Sequence, residues 1–405
     1  MVEIEFSYIS DHVDDRRIWN AFMDEFCTKY GIKVHIRDEM TWDSAWAELF
    51  SYTSLSKAPH VSHVGSSWIN SLARLKVLRP FKADEIAAIG GVWDFAIPNW
   101  DSGILADDRN VWAIPWTTWI YTICYRKDLL DQIGIDPSTA FHSIQATSET
   151  VQKLTTSSLE IPWLNSQILV SNRNFLHVAA SWIWAAEGDF TDKEGRTITF
   201  NNPRAVQGLK HWLDIYRAVP EAYKTLSEPE TFELFREGRV AAMLANIHGA
   251  NLFNGEDSPL IVRENLGVAS VTDTPWTGGG SFVVWESARR NPQQEQAAVQ
   301  LIKFLASKDI NIRYQRASAG MPSRIDALKE VYFDGNPARE AVMQSVTKGR
   351  HYHNTPIWRR IEQQLSEALG AIVGEAMRNP DIDTDALLHE HLDKLARRLN
   401  GIMYA

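Results

Sequence analysis

From Met1 to Trp68 the chain alternates between apolar spacing of period two and apolar stripes of helical period, and that rhythm sharply limits the folds open to it. Ile4 to Ile9 reads as a strand, Asp15 to Tyr30 as a helix with Ile18, Phe22 and Phe26 on one face, and Ile32 to Ile36 as a strand after the stop at Gly31. A helix from Thr41 to about Leu55, a strand at Val61 to Val64 and a helix capped by Ser66 or Ser67 continue the series. Strands and helices in this order predict βα units around a mainly parallel sheet. In such sheets ligands collect where strands end and helices begin, and Gly65-Ser66-Ser67-Trp68 stands at one of these points.

Beyond Val111 the texture changes. Trp112 to Trp116 is extended, with Pro115 barring a helix, and Tyr121 to Tyr125 is a strand leading into a helix from Lys127 to Ile133 closed by Gly134. Helices are expected at Asn172 to Ala186, Pro203 to Arg217 and Glu228 to Glu237, and strands at Thr197 to Phe200, Arg239 to Leu244, Leu266 to Val271 and Ser281 to Trp285. Asp192-Lys-Glu-Gly195 reads as a tight turn and Gly278-Gly279-Gly280 as a bend. Everything past Pro292 reads as mostly helical, with long helices at Pro292 to Ser307, Pro356 to Met377 and Thr384 to Leu399, and Gly401 as the last stop.

A chain of 405 residues is too long for one ordinary core and implies two lobes. No apolar stretch reaches the ~20 residues of a membrane span. The net charge of −10, with basic residues only in scattered pairs such as Arg289-Arg290 and Arg397-Arg398, argues against nucleic acid as a partner. Cys27 and Cys124 are too few for a disulfide framework and read as buried thiols. Met1 runs straight into a strand with no export signal before it, which fits either a cytoplasmic protein or a mature exported domain given a start methionine.

Catalytic signatures are missing. The chain holds no G-x-S-x-G elbow, no H-E-x-x-H, no Walker loop and no G-x-G-x-x-G, and the glycine triplet is followed by a strand instead of a helix N-terminus. His351/His353 and His389/His391 are spaced i, i+2, whereas metal pairs on a helix take i, i+3 or i+4. Glu187 with Asp189, or Asp11 with Asp14 and Asp15, supply carboxylates for a glycosidase pair only if they meet in space. No metal and no cofactor are expected.

Sixteen tryptophans are the chemical hint. Trp68, Trp116 and Trp276 flank turn-forming segments, as side chains displayed on loops would, and indole pairs a flat apolar face with one N–H donor, a match for a sugar ring. Trp182, Trp184 and Trp212 lie among apolar neighbours within helices and read as packing.

Six stretches in order, Pro59-His-Val-Ser-His-Val-Gly-Ser-Ser-Trp68 with Leu78-Arg-Pro-Phe81, Ala113-Ile-Pro-Trp116, Ile123-Cys-Tyr-Arg-Lys-Asp-Leu-Leu130, Ala185-Ala-Glu-Gly-Asp189, Leu234-Phe-Arg-Glu-Gly-Arg-Val-Ala-Ala-Met-Leu244 and Gly278-Gly-Gly-Ser281, resemble the carbohydrate-type extracellular solute-binding proteins of ABC importers. The resemblance runs to about residue 365. It implies a two-lobe α/β fold of the periplasmic-binding-protein type II class, with lobes at 1–110 plus 264–308 and 111–263 plus 309–405 and crossovers near 111–115, 258–263 and 309. It further implies a ligand held in a cleft between lobes that close about a hinge, delivery to permease subunits, no enzymatic activity, a monomer, and a periplasmic or extracellular location, free or lipid-anchored.

The same resemblance places Trp42 after the second strand and Ser66 at the end of the third as ligand contacts, with Trp68 beside them. Trp116 and Thr117 follow the crossover, Asn174 and His177 open a helix, Asn246 and His248 follow a strand, Trp276 and Gly279 line the glycine bend, and Trp358 corresponds to a stacking tryptophan of relatives. Trp42, Trp68, Trp116, Trp276 and Trp358 are thus the expected sugar plates. The chain departs from the pattern at Gly249-Ala250, where many relatives carry Trp, and at His60, where Asp is common. The rival readings are a glycoside-active enzyme on a two-lobe scaffold and a binder of a charged solute, which arginines such as Arg313, Arg316, Arg324, Arg350 or Arg359 would serve.

Overall fold

The computed structural model describes residues 1–10, 15–55, 58–105, 107–167, 172–353 and 355–403. Asp11 and Asp14 lie outside them, so the carboxylate group imagined around Asp15 is not described as a whole. In chain order the strands are β1 (Val2–Ile9), β2 (Ile32–Met40), β3 (Val61–Gly65), β4 (Leu78–Arg79), β5 (Ile114–Arg126), β6 (Ile161–Asn165), β7 (Val240–Asn246), β8 (Leu266–Ser270), β9 (Thr277–Trp285) and β10 (Met321–Pro322). The chain divides into two compact units. One comprises Met1–Trp119, Thr277–Phe333 and Asn354–Arg359, the other Ile120–Trp276, Asp334–His353 and Arg360–Ala405. These boundaries depart from the sequence-based lobes. Residues 111–119 and 309–333 join the first unit because Trp116 and Tyr314 pack into its core, and the short return at 354–359 has no counterpart in the sequence reading.

In the first unit β1 pairs parallel with β2 and β3, as the βα rhythm requires. The Asp15–Tyr30 helix buries Trp19, Phe22, Met23 and Phe26, spaced three and four residues apart, and Trp19 meets Phe6 of β1 with ring centroids 5.0 Å apart. Each such ring, fully buried, contributes ~1.5–3 kcal/mol. β9, however, runs antiparallel to β3, and both β4 on β9 and β10 on β5 are antiparallel as well. In the second unit β6 and β7 are parallel, while the distal part of β5 runs antiparallel to β7 and β8. Both sheets are therefore mixed instead of mainly parallel: β5 and β9 enter them from outside the βα series.

Glycine positions account for several local departures from expectation. Gly278, Gly279 and Gly280 are part of strand β9, not a bend. Gly279 has φ +139°, and a Cβ there would stand 2.1 Å from the Thr117 carbonyl oxygen, so this glycine lets two backbones meet. Gly208 does the same for helices. A Cβ on it would lie 2.3 Å from the Trp182 carbonyl oxygen, which is what allows the Pro203–Arg217 helix to press on Asn172–Ala185. Thr197 to Phe200 forms only a single bridge, Thr191 to Ile198, because the helix starting at Pro203 follows too closely for a longer ladder. The final helix, Thr384–Met403, runs through Gly401.

Candidate functional site

The second unit brings a polar group and an aromatic group onto one helix face. β6 and β7 end side by side at Asn165 and Asn246, the carboxyl edge of a parallel pair. Asn246 is the N-cap of the Ile247–Phe253 helix: its Oδ1 accepts from the Gly249 N–H at 3.0 Å, leaving its amide nitrogen to donate to Glu228 Oε2 at 3.0 Å. Gln167 Nε2 donates to the same oxygen at 2.7 Å and to Ser166 Oγ at 2.8 Å. Gln167 Oε1 in turn accepts from Asn174 Nδ2 at 3.3 Å. Burial raises the Glu228 pKa, and the amide donors of Gln167 and Asn246 oppose that shift.

Asn174 and His177 are three residues apart on one helix and share a face. The His177 ring stacks on Trp276, centroids 4.2 Å apart and planes 13° apart, and its Nδ1 hydrogen-bonds with Tyr352 Oη at 2.6 Å. Tyr121 and Tyr352 stand 5.9 and 6.3 Å from the Trp276 ring. The Trp276 indole N–H is buried with no partner among the described residues, a donor left unmet at a cost of ~1–3 kcal/mol. Burial holds the Tyr352 phenol protonated, well above its ordinary range. Next to this group Asp189 accepts from Trp184 Nε1 (3.1 Å) and Arg350 Nη2 (2.7 Å), with His353 Nε2 at 3.3 Å. Burial alone would raise Asp189, but the hydrogen bonds from His353 and Arg350 and the Arg350 charge hold it well below the usual carboxylate range.

The first unit has its own aromatic group at the end of β3. Trp42 meets His63 edge-on (6.2 Å, 81°) and lies 5.8 Å from Trp68, which lies 5.9 Å from Trp46, and the Arg359 guanidinium sits over the Trp46 ring at 4.9 Å. A Cβ on Gly65 would come within 3.1 Å of Trp42 and 3.2 Å of Trp68, so the bare backbone is what lets the two indoles converge. Gly65, not a serine, is the N-cap of the short 3-10 turn Ser66–Trp68, and no side chain caps it. The Ser66 hydroxyl therefore has no capping role. Burial pushes the His63 pKa down to about 4, so this imidazole is neutral near pH 7.

Several expected contacts have structural work instead. Trp116 is not displayed on a loop: it is fully buried in β5 against Trp19, Phe282 and Tyr314. Thr117 Oγ1 accepts from the Gly280 N–H at 3.0 Å, tying β5 to β9. Gly279 faces that same backbone. Trp68 is buried in a core with Ile9, Leu49, Leu72 and Trp285, and Trp358 is buried at the first position of the Trp358–Arg378 helix. His248, half-buried, lies 6.3 Å from Phe232. Gln167, Glu228, Tyr121, Tyr352 and Trp46 escaped the sequence reading. In the sequence Glu228 shows only as the start of the Glu228 to Glu237 helix and Tyr121 only as the start of a strand.

Of the arginines that would serve an anionic ligand, four face carboxylates: Arg313 with Glu25 and Asp309, Arg316 with Glu330, Arg324 with Asp94 and Asp326, and Arg350 with Asp189. Among the described residues no group of three or more His, Cys, Asp or Glu side chains is placed to hold a metal, and no helix is long and apolar enough to cross a membrane. His353, His389 and His391 pair with Asp189, Asp393 and Glu375.

A probable ABC transporter-binding protein of Deinococcus radiodurans is 26% identical over 241 residues, a match spanning 55% of this chain and 55% of that protein. The chain thus matches about half the length of that curated relative. The fold is that of the sugar-binding protein MalE of Xanthomonas citri (TM-score 0.79, 17% identity, 100% of this chain and 98% of that one). It is equally that of maltose-bound MalE3 of T. maritima (0.76, 20%, 98% and 100%) and of a Thermotoga lettingae solute-binding protein bound with α-D-tagatose (0.74, 18%, 100% of both). These likenesses establish the two-lobe type II α/β fold. Residues 21–341 match the family model of bacterial extracellular solute-binding proteins, and the chain belongs to that family.

Proposed function

We propose that this protein is the capture component of an ABC sugar importer, binding a neutral mono- or oligosaccharide and handing it intact to a permease outside the cytoplasm. The observation that carries this reading is the shared face of Asn174 and His177, which joins amides and a carboxylate to the rings of Trp276, Tyr121 and Tyr352. Rings for the apolar faces of a sugar and hydrogen-bonding groups for its hydroxyls are what a saccharide requires of a site; in this structure the three rings are themselves buried, with His177 stacked on Trp276, so a sugar would meet them only where this packing opens. Maltose and tagatose in proteins of the same fold lend support. In the first unit Trp42 and Ser66, at the ends of β2 and β3, are the proposed ligand contacts. Trp68, Trp116, Thr117 and Gly279 keep structural roles. A charged solute is disfavoured because Arg313, Arg316, Arg324 and Arg350 are already faced by carboxylates.

Titration of the purified protein with maltose, D-tagatose, ribitol and a wider panel of mono- and oligosaccharides tests the proposal. Binding of at least one sugar, recovered chemically unchanged, is expected. Failure of the whole panel would exclude saccharide capture, and product formation would establish the enzyme reading.

A further inference from the structure

Glu228 is unusual for a carboxylate. It is half-buried, yet no Lys, Arg or His among the described residues pairs with it, and the groups that shift its titration are two neutral amides. Buried charges in proteins are ordinarily met by a countercharge, and one that is not carries an outstanding desolvation cost. Its two oxygens differ. Oε2 takes both amide donors, Gln167 Nε2 at 2.7 Å and Asn246 Nδ2 at 3.0 Å, which fixes the plane of the carboxylate. Oε1 takes no donor among the described residues and is not sealed from solvent.

The amides around it are largely committed. Asn246 Oδ1 is used by Gly249 N–H and Gln167 Oε1 by Asn174 Nδ2, while both Gln167 amide hydrogens go to Ser166 and Glu228. The surplus capacity of the group is therefore one carboxyl oxygen, held rigidly at the carboxyl edge of β6 and β7. An incoming ligand must supply the donor. Asn174 ties this acceptor to the helix whose next turn carries His177 and, through it, Trp276.

We infer that Glu228 is a specificity-determining residue that reads a sugar hydroxyl through Oε1, with Gln167 and Asn246 as the positioning residues that aim it. The inference rests on the saccharide reading and names the side chain that selects for a donor at one ring position. A hydroxyl donating to a carboxylate makes a stronger bond than one donating to a neutral amide. A deoxy sugar lacking that hydroxyl would leave the charge buried and unmatched, which is how such sites discriminate.

The test is a double cycle. Maltose, D-tagatose and ribitol are titrated into the wild type and Glu228→Gln by calorimetry, followed by monodeoxy analogues of whichever binds most tightly. Glu228→Gln is expected to bind that sugar about tenfold or more weakly while its melting temperature is held or raised. One monodeoxy analogue should lose a similar factor on the wild type and little further on the variant. Should Glu228→Gln not fold, Glu228→Asp, which keeps the charge but withdraws the carboxylate by one methylene, is expected to show the same loss. Equal affinity of variant and wild type, or additive losses at every ring position, overturns the inference and leaves saccharide capture standing. A wild type that binds none of the three probes nor any sugar of the wider panel removes the saccharide reading and this inference with it.

Discussion

Trp116 follows an Ile-Pro step and Trp276 precedes three glycines, contexts that look alike in sequence, yet the first is enclosed by Trp19, Phe282 and Tyr314 and the second by His177, Tyr121 and Tyr352. Sequence position tells that an indole sits near a turn. It does not tell what stands opposite, because partners such as Trp19 and Tyr314 come from distant parts of the chain. The difference is measurable. Trp116→Ala removes a fully buried ring and is expected to cost ~3–5 kcal/mol in urea unfolding, with the saccharide affinity of the folded fraction unchanged. A loss of affinity without loss of stability would return Trp116 to the ligand. His63 makes a second prediction at this scale. Its folded pKa of about 4 lies below its ordinary 6.5, so as pH falls the unfolded chain takes up the proton first. The stability contributed by the neutral ring is complete above pH 6.5 and is lost progressively toward pH 4, about 3 kcal/mol in all. Urea midpoints measured at pH 7.5 and 4.5 should therefore differ less in His63→Gln than in the wild type.

Elements were legible where their pattern is local. The strand and helix starting the chain, the Pro203 start and the stop at Gly134, with φ +71°, follow from spacing and from backbone preferences that act within a few residues. The glycine triplet was misread for the opposite reason. Three glycines favour a bend by their own conformational freedom, but here their missing side chains admit Thr117 and its carbonyl, and the pairing with β3 at Gly280 keeps the segment extended. Gly208, mid-helix, carries the same information about a neighbour that only tertiary structure reveals. Gly208→Ala puts a methyl group 2.3 Å from the Trp182 carbonyl oxygen and must push the Pro203–Arg217 helix off Asn172–Ala185. The gain in helix propensity, ~1 kcal/mol, is outweighed by overpacking of ~1–3 kcal/mol, so a lower melting temperature is expected. A rise in melting temperature would mean that the helices separate freely.

At the scale of the whole molecule, the family order of motifs made the two-unit α/β architecture legible, whereas the chain's passages between units were not. Three crossovers were expected near 111–115, 258–263 and 309, but the chain changes unit after Trp119, Trp276, Phe333, His353 and Arg359. The excursion at 354–359 is invisible in sequence because a return of six residues has no periodicity to read. In space it is anchored by Asn70 Nδ2 donating to the Thr355 carbonyl at 2.6 Å, and it carries the buried Trp358. With the backbone passing repeatedly from one unit to the other, neither is a contiguous segment, and we propose that a bound sugar acts on both by shifting the population toward a closed form. Two measurements follow. At a hundred times its Kd the sugar should add about 2.7 kcal/mol of stability by mass action. Small-angle scattering should show a smaller radius of gyration with saturating sugar than without. A stabilised protein of unchanged radius would place the whole binding event within one unit and remove hinge closure from the mechanism.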